Sequence, residues 1–390
     1  MGARLDRTPP CWRAHAIRAT LNGVTSHLRL VVCEGDETGQ ELLEQSLRVL
    51  DPAVLGFESE LIRFDLSLDN RRATDNAVVR DAAAAMRECG LGLKAATITP
   101  EKIGDVGSPN RILREGIGGS VIVRTGRRIP GVSPLAPVVH PIVVVRMAVG
   151  DAYGADEGRT GTPGGTDETA WRTERIERRI CQEVSEFSFQ TAAARGACVY
   201  GGPKWTVSAV YEGMLKEEMD AAAARHPEVT YRPTLIDAAY AGILTEAGHQ
   251  SLVIPALNRD GDCLSDLVLA LFGSIAGAES VLLALDDHLN PVVAMAEAPH
   301  GTAPSLAGKN VANPMAMLLA CAAALDHAAA SGGAGEGGAE IARAGRAIRR
   351  TTLSVAADGI RTFDLGGDAS TSGVVDEVLR RLRDELIAAP

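Results

Sequence analysis

The sequence predicts an α/β protein of more than one domain, and three observations carry that prediction. Strand-type apolar runs alternate with segments of helical apolar spacing along most of the chain. Of 390 residues, 46% are apolar, enough for a large core and for two or three domains at roughly 100–200 residues each. Aromatic residues make up only 4%, so the core must be built from Ala, Val, Leu and Ile.

From Leu28, LRLVVCEGDETGQELLEQSLRVL reads as a strand, a polar glycine turn and a helix with Leu42, Leu43, Leu47 and Leu50 on one face. A strand at 60–64, a helix at 77–89 and a strand in GLGLKAATITP follow. SVIVRTGRRI and PIVVVRMAVGD predict two more strands, each with arginine beside an apolar run. The Gly, Thr and Pro density of GADEGRTGTPGGTD predicts an exposed loop and a boundary. Helices are expected over 174–195 and 207–224, then a strand in VTYRPTLID with a helix after it, a strand in SLVIPAL, and a helix starting after Gly261. Strands in VLLAL and PVVAMAEAPHG and Ala/Leu helices complete the chain. Gly333, Gly335 and Gly338 satisfy GxGxxG, but they follow an Ala-rich helix instead of a strand, so they read as a loop.

The formal charge of −11, from 50 acidic against 39 basic residues with no basic block, argues against nucleic acid or an anionic membrane as partner. No stretch approaches the ~18–20 apolar residues of a membrane span. Seven scattered cysteines form neither CxxC nor a zinc spacing, which fits a reducing cytoplasm. Residues 1–28 are set outside the fold as an extension, read as an unstructured tail; four arginines against Asp6 also allow a transit peptide.

Three groups of residues carry chemistry. In NRDGDCLSD, Asp262 and Asp266 are four apart and share a helix face. They are either a solvated acidic face or two ligands for Mg²⁺ or Mn²⁺, with Asp237 of TLIDAAY as a possible third. Arg114, Arg124 and Arg146 lie in apolar surroundings near Ser108 and Asn110. Either they bridge to the protein's own carboxylates or they converge on a substrate with more than one carboxylate. Tyr153 and the isolated Lys204 of GGPKW are candidate general acid and base.

Together with EGDETG (34–39), KAATITP (94–100), SPNRILR (108–114), VVVRMAVGDAY (143–153), EAPHGTAPSLAGKNVANP (297–314) and RTFDLGGDAST (361–371), these motifs resemble the β-decarboxylating dehydrogenases. That family includes the isocitrate, 3-isopropylmalate and homoisocitrate enzymes, and the resemblance runs from about Leu28 to the end. It implies an isocitrate/isopropylmalate dehydrogenase-like two-domain fold, α/β but not Rossmann. A large domain would comprise 29–117 and 273–390, a small domain 118–153 and 200–272, and a clasp-like segment 154–199 would hold a homodimer with shared active sites.

The resemblance also implies the roles. Lys204, with a nearby aspartate, deprotonates the substrate hydroxyl and Tyr153 delivers a proton after decarboxylation. Thr99, Ser108, Asn110, Arg114, Arg124 and Arg146 bind a small polycarboxylate. Asp262 and Asp266 hold Mg²⁺ or Mn²⁺ with Asp237 from the other chain. Lys94, Thr97, Glu297, His300, Gly301, Thr302, Ser305 and Asn313 bind the cofactor. Polar Ser108 and Asn110 fit the third carboxylate of isocitrate better than an isopropyl group. Ser305 and Leu306 offer no cation to a 2′-phosphate, so NAD is expected rather than NADP. Arg111 and the altered EGDETG loop leave room for an isocitrate analogue, such as homoisocitrate or a phosphonate-bearing malate. A non-catalytic regulatory subunit is the third alternative, against which stands the retention of all five of Tyr153, Lys204, Asp237, Asp262 and Asp266.

Overall fold

Apolar runs between polar turns become strands, and the longer segments of helical spacing pack over them. The structure, a computed structural model, describes residues 27–102, 104–331 and 336–387. The expected tail up to residue 26, and the loop glycines Gly333 and Gly335, lie outside the described residues.

HLRLVVCE forms β1 (His27–Glu34), and α1 (Glu37–Leu47) follows with Leu42, Leu43 and Leu47 buried. Asp51 accepts from Ala53 N and Pro52 fills the first position of α2 (Pro52–Leu55), which leads to β2 (Glu58–Asp65). Then come α3 (Leu68–Ala73), α4 (Ala77–Cys89), β3 (Leu91–Lys94), α5 (Pro109–Gly116), β4 (Val121–Gly126) and β5 (Ile142–Met147). The middle of the chain supplies β6 (Asp156–Thr160), β7 (Thr169–Thr173), α6 (Arg178–Arg195), β8 (Cys198–Gly201), α7 (Tyr211–Arg225), β9 (Tyr231–Pro233), α8 (Ile236–Glu246), β10 (Leu252–Ala256) and α9 (Asn258–Leu271). The last part supplies β11 (Glu279–Leu285), β12 (Pro291–Glu297), α10 (Met315–Ser331), α11 (Glu336–Ala357) and α12 (Thr371–Ile387).

Ten of these strands form one continuous sheet in the order β2-β1-β3-β12-β11-β4-β5-β10-β8-β9. The pairings at both ends are parallel, while β12-β11-β4-β5 at the centre are antiparallel. Strands from the two chain ends thus lie on one side of the central joint and mid-chain strands on the other. The inner strands are largely buried on both faces, which is why they read as apolar runs, whereas the edge strands β2 and β9 are not. α10 is buried from Met315 to Leu325, and its alanines allow close packing between the sheet and α11.

Several expectations need correction. The segment expected as an exposed loop folds into the hairpin β6–β7, closed by Thr162 N and Oγ1 donating to Asp167 (3.1 Å each). Its strands are exposed on both faces and carry no alternating apolar pattern to announce them. The helix expected after Gly261 begins at Asn258, and α6 and α7 begin four residues later than expected, at Arg178 and Tyr211. Residues 27 and 28 belong to β1 and not to an extension.

Candidate active site

In the antiparallel pair β4–β5, Arg146 lies opposite Ile122, so Arg124, two residues on, shares its face of the sheet. α9 crosses that face and presents Asn258, Asp262, Ser265 and Asp266 at helical spacing. The close approach depends on Gly261, where a Cβ would stand 2.7 Å from Arg146 Cγ. Helix and strands thereby bring two guanidiniums against two carboxylates.

Arg146 donates Nε and Nη2 to Asn258 Oδ1 (3.0 and 2.8 Å) and Nη1 to Asp262 Oδ1. Arg124 Nη1 donates to Ser265 Oγ (2.8 Å) and Asp266 Oδ1 (2.9 Å) and lies 3.4 Å from Asp262 Oδ1. Tyr153 Oη donates to Asp262 Oδ2 at 2.9 Å, and the Arg146 guanidinium stands 5.5 Å from its ring centre. Burial, reinforced by Arg114, lowers the Arg146 pKa to about 10, still charged at neutral pH. Burial, the hydrogen bond to Asp262 and the charge of that carboxylate raise Tyr153 to about 12, so it stands protonated.

Ser108 and Pro109 start α5, with Ser108 Oγ accepting from Asn110 N (3.4 Å), and Arg114 follows on the same helix. Arg114 is close enough to Glu297, Arg124 and Asp262 to feel their charges. At the ends of β3 and β12, Lys94 Nζ lies 3.6 Å from Glu297. Burial alone would raise the Glu297 pKa, but Lys94 and the three arginines hold it down and keep it ionised. Four buried polar atoms here have no hydrogen-bond partner among the described residues: Thr97 Oγ1, Asn110 Oδ1, Arg124 Nε and His300 Nε2. Such orphaned groups are costly unless a ligand supplies the missing bond. Thr99, two residues after Thr97, is exposed.

Lys204 and Asp237 stand elsewhere. Lys204 Nζ donates to Asp237 Oδ2, which lowers the Asp237 pKa, and neither forms a hydrogen bond or ion pair with Tyr153, Asp262 or Asp266. Among the described residues no three His, Cys, Asp or Glu side chains cluster as a metal site. Asp262 and Asp266 nevertheless suit a hard cation. Burial and the nearby Asp262 raise the Asp266 pKa, against Arg124, and a cation between two oxygen donors would offset that cost.

On the other side of the central joint lies a mostly apolar cavity of about 370 Å³. Leu42, Ile275, His300, Gly301, Asn313 and Asp364 are among its walls, and among the described residues no lysine or arginine is. Thr302 and Ser305 adjoin it, Thr302 through its carbonyl, which accepts from Thr38 N (3.1 Å). Thr38 and Leu42 of α1 line the cavity, and the loop before that helix is tightly fixed. Asp36 N donates to Ala96 O (2.9 Å), and at Gly35 a Cβ would come 2.1 Å from that oxygen, so only glycine fits.

Sequence reasoning missed three contributors. Asn258 orients Arg146; Asp151, at φ 58°, accepts from Tyr211 Oη and Arg259 N (2.8 Å each) and fixes the turn before Tyr153. Asp364, which accepts from Asn313 Nδ2 (3.0 Å), is the third. Only Asn258, four residues before Asp262, carried a spacing signal.

Residues 29–378 match the family model described as isocitrate/isopropylmalate dehydrogenase. The NADP isocitrate dehydrogenase of Thermus thermophilus is 32% identical over 74% of this chain, a match that spans 56% of that enzyme. The 3-isopropylmalate dehydrogenase of Methanothermobacter thermautotrophicus is 28% identical over 92% of this chain and 99% of its own length. The crystal structure of isocitrate dehydrogenase from Methylococcus capsulatus shares the fold, with a TM-score of 0.78 over 91% of this chain and 99% of that one at 21% identity. Sheet, site and matches together define an NAD(P)-dependent decarboxylating dehydrogenase. The chain belongs to the isocitrate/isopropylmalate dehydrogenase family, whose reaction is the metal-dependent oxidative decarboxylation of a hydroxy acid. Among the described residues no helix is long and apolar enough to cross a membrane.

Proposed function

We propose that this enzyme oxidises and decarboxylates isocitrate to 2-oxoglutarate with NAD as the oxidant. The observation that carries the reading is a buried donor left without a partner among the described residues, Arg124 Nε, on the sheet face it shares with Arg146 and within reach of the charge of Arg114. Arg114, Arg124 and Arg146 bind the substrate carboxylates, with Thr99, Ser108 and Asn110 adding hydrogen bonds around the third. Tyr153, protonated and held by Asp262, gives its proton to the carbon that has lost carbon dioxide. Asp262 and Asp266, with Asp237 of a second copy, hold Mg²⁺ or Mn²⁺. When bound, that cation supplies Lewis-acid stabilisation of the negative charge developing on the substrate oxygen.

Lys204 and Asp237 form a pair away from Asp262, which supports a homodimer in which each copy lends this pair to the other's site. Lys204 then takes the substrate hydroxyl proton. The large domain is assigned to 29–117 and 273–390, the small domain to 118–153 and 200–272, and the hairpin-bearing segment 154–199 to the clasp. Lys94, Thr97, Glu297, His300, Gly301, Thr302, Ser305 and Asn313 surround the cofactor. The cavity favours NAD, because a 2′-phosphate would meet the Asp364 carboxylate and no cation. NAD supplies the hydride acceptor.

Arg111 favours a second reading, an isocitrate analogue with a longer or more highly charged acidic arm. It shares a small cavity with Arg114 and Tyr153, so a further cation borders the site. The deciding experiment offers isocitrate and a panel of malates substituted at carbon 3, each with NAD and with NADP, at saturating Mg²⁺ or Mn²⁺. Formation of reduced nicotinamide with isocitrate and NAD is expected. Preference for another malate selects the second reading, and no turnover with any pair overturns both.

A further inference from the structure

Away from the candidate active site, at the start of β11, a cavity of about 290 Å³ is lined by Thr125, Arg127, Pro141, Arg195, Glu279 and Arg349. Three guanidiniums enter it from three elements: the end of β4, the last turn of α6, and α11. Glu279 forms an ion pair with Arg127 Nη2 (2.8 Å) and accepts from Arg349 Nε (2.8 Å), and Asp326 accepts from Arg349 Nη2 (2.6 Å). Those contacts leave Arg127 Nε buried without a partner. Arg195 makes no hydrogen bond or ion pair among the described residues, although the charges of Arg127, Glu279 and Arg349 all reach it. Three cations against two carboxylates, in a protein of net charge −11, leave one positive charge uncompensated in a recess.

We propose that this recess is a second ligand site, for the phosphate group of a small phosphomonoester. A phosphate presents three terminal oxygens, matching three forks that converge from different directions, where a carboxylate presents two. A neighbouring groove of about 520 Å³ shares Arg349 and is walled by Pro130, Leu353 and Ala357, so an organic body attached to the phosphate finds an apolar surface there. Burial and the like charge of Arg127 lower the Arg195 pKa, a cost that a bound dianion relieves. α6 packs on β5, β8 and β10, whereas α11 packs on α10, so such a ligand would tie together elements from both sides of the central joint.

The test is calorimetric titration of the full-length protein with inorganic phosphate and with phenyl phosphate. Both bind, and phenyl phosphate binds about tenfold more tightly because its ring covers the groove. Arg195→Ser weakens both by about tenfold and Arg195→Glu abolishes binding, with turnover in phosphate-free buffer unchanged in each. Arg114→Gln leaves phosphate binding intact. Absence of binding, or binding lost in Arg114→Gln but kept in Arg195→Ser, overturns the site, and equal affinities for the two probes overturn the role of the groove.

Discussion

Tyr153 donates its hydroxyl proton to Asp262 Oδ2 at 2.9 Å, while the other oxygen of the same carboxylate receives Arg146. One aspartate therefore fixes both a proton donor and a cation. Tyr153→Phe removes the donor and keeps the ring over Arg146. A fall in kcat of roughly 10²-fold or more is expected, with KM for the acid changed far less, as read from steady-state formation of reduced nicotinamide.

Asp262→Asn keeps the shape and removes the charge. Mg²⁺ and Mn²⁺ binding, followed by titration calorimetry, should fall below detection, and turnover should vanish at every metal concentration. Activity at the wild-type level would refute the metal assignment.

Asp364 faces the apolar cavity, so Asp364→Lys replaces a repulsive group by an attractive one for a 2′-phosphate. The ratio of kcat/KM with NADP to that with NAD should rise by about tenfold. A ratio that does not move would separate Asp364 from cofactor choice.

Arg71 is fully buried, donating to the carbonyls of Leu66 (2.9 Å), Gly107 (3.1 Å) and Ile98, with Asp36 at 4.0 Å. It ties the loop of Thr97 and Thr99 to the loop of Ser108. Arg71→Met leaves those carbonyls unpaired, so urea unfolding should show a loss of about 3 kcal/mol or more. At temperatures where the variant remains folded, KM for the acid should rise as the two loops shift.

Arg380 and Arg381 hydrogen-bond Glu377 and hold its pKa at about 2, against an ordinary value of 4.5. A depressed carboxylate contributes stability above its unfolded pKa and loses it as pH falls through the folded one. Glu377→Gln should therefore lower Tm at pH 6, with the difference shrinking from about pH 4.5 downwards and gone by pH 2.

Much of the site was legible because its chemistry coincides with periodicity. Asp262 and Asp266 are one turn apart, and Arg124 and Arg146 interrupt apolar strands, where an unpaired cation is conspicuous. Arg71 was hidden in NRRATD, a polar run that resembles a solvated helix, because its partners are backbone carbonyls distant in sequence. Asp364 was equally invisible, since only the folded chain brings it to Asn313. The hairpin β6–β7 escaped because a ribbon exposed on both faces needs no apolar alternation. Strand positions were readable from apolar content, but the antiparallel centre of the sheet was not, because pairing direction leaves no trace in a doubly buried strand.

That antiparallel centre determines how the two halves of the molecule can move. They are joined through ladders of backbone hydrogen bonds along β11, β4 and β5, and not merely by a pair of loose connectors. A rotation of one half against the other would have to change the twist of those strands, so such a joint would resist turning as a leaf spring does, unlike a free door hinge. Arg124 and Arg146 sit on two of those strands, so any such flexion would re-aim both guanidiniums at once.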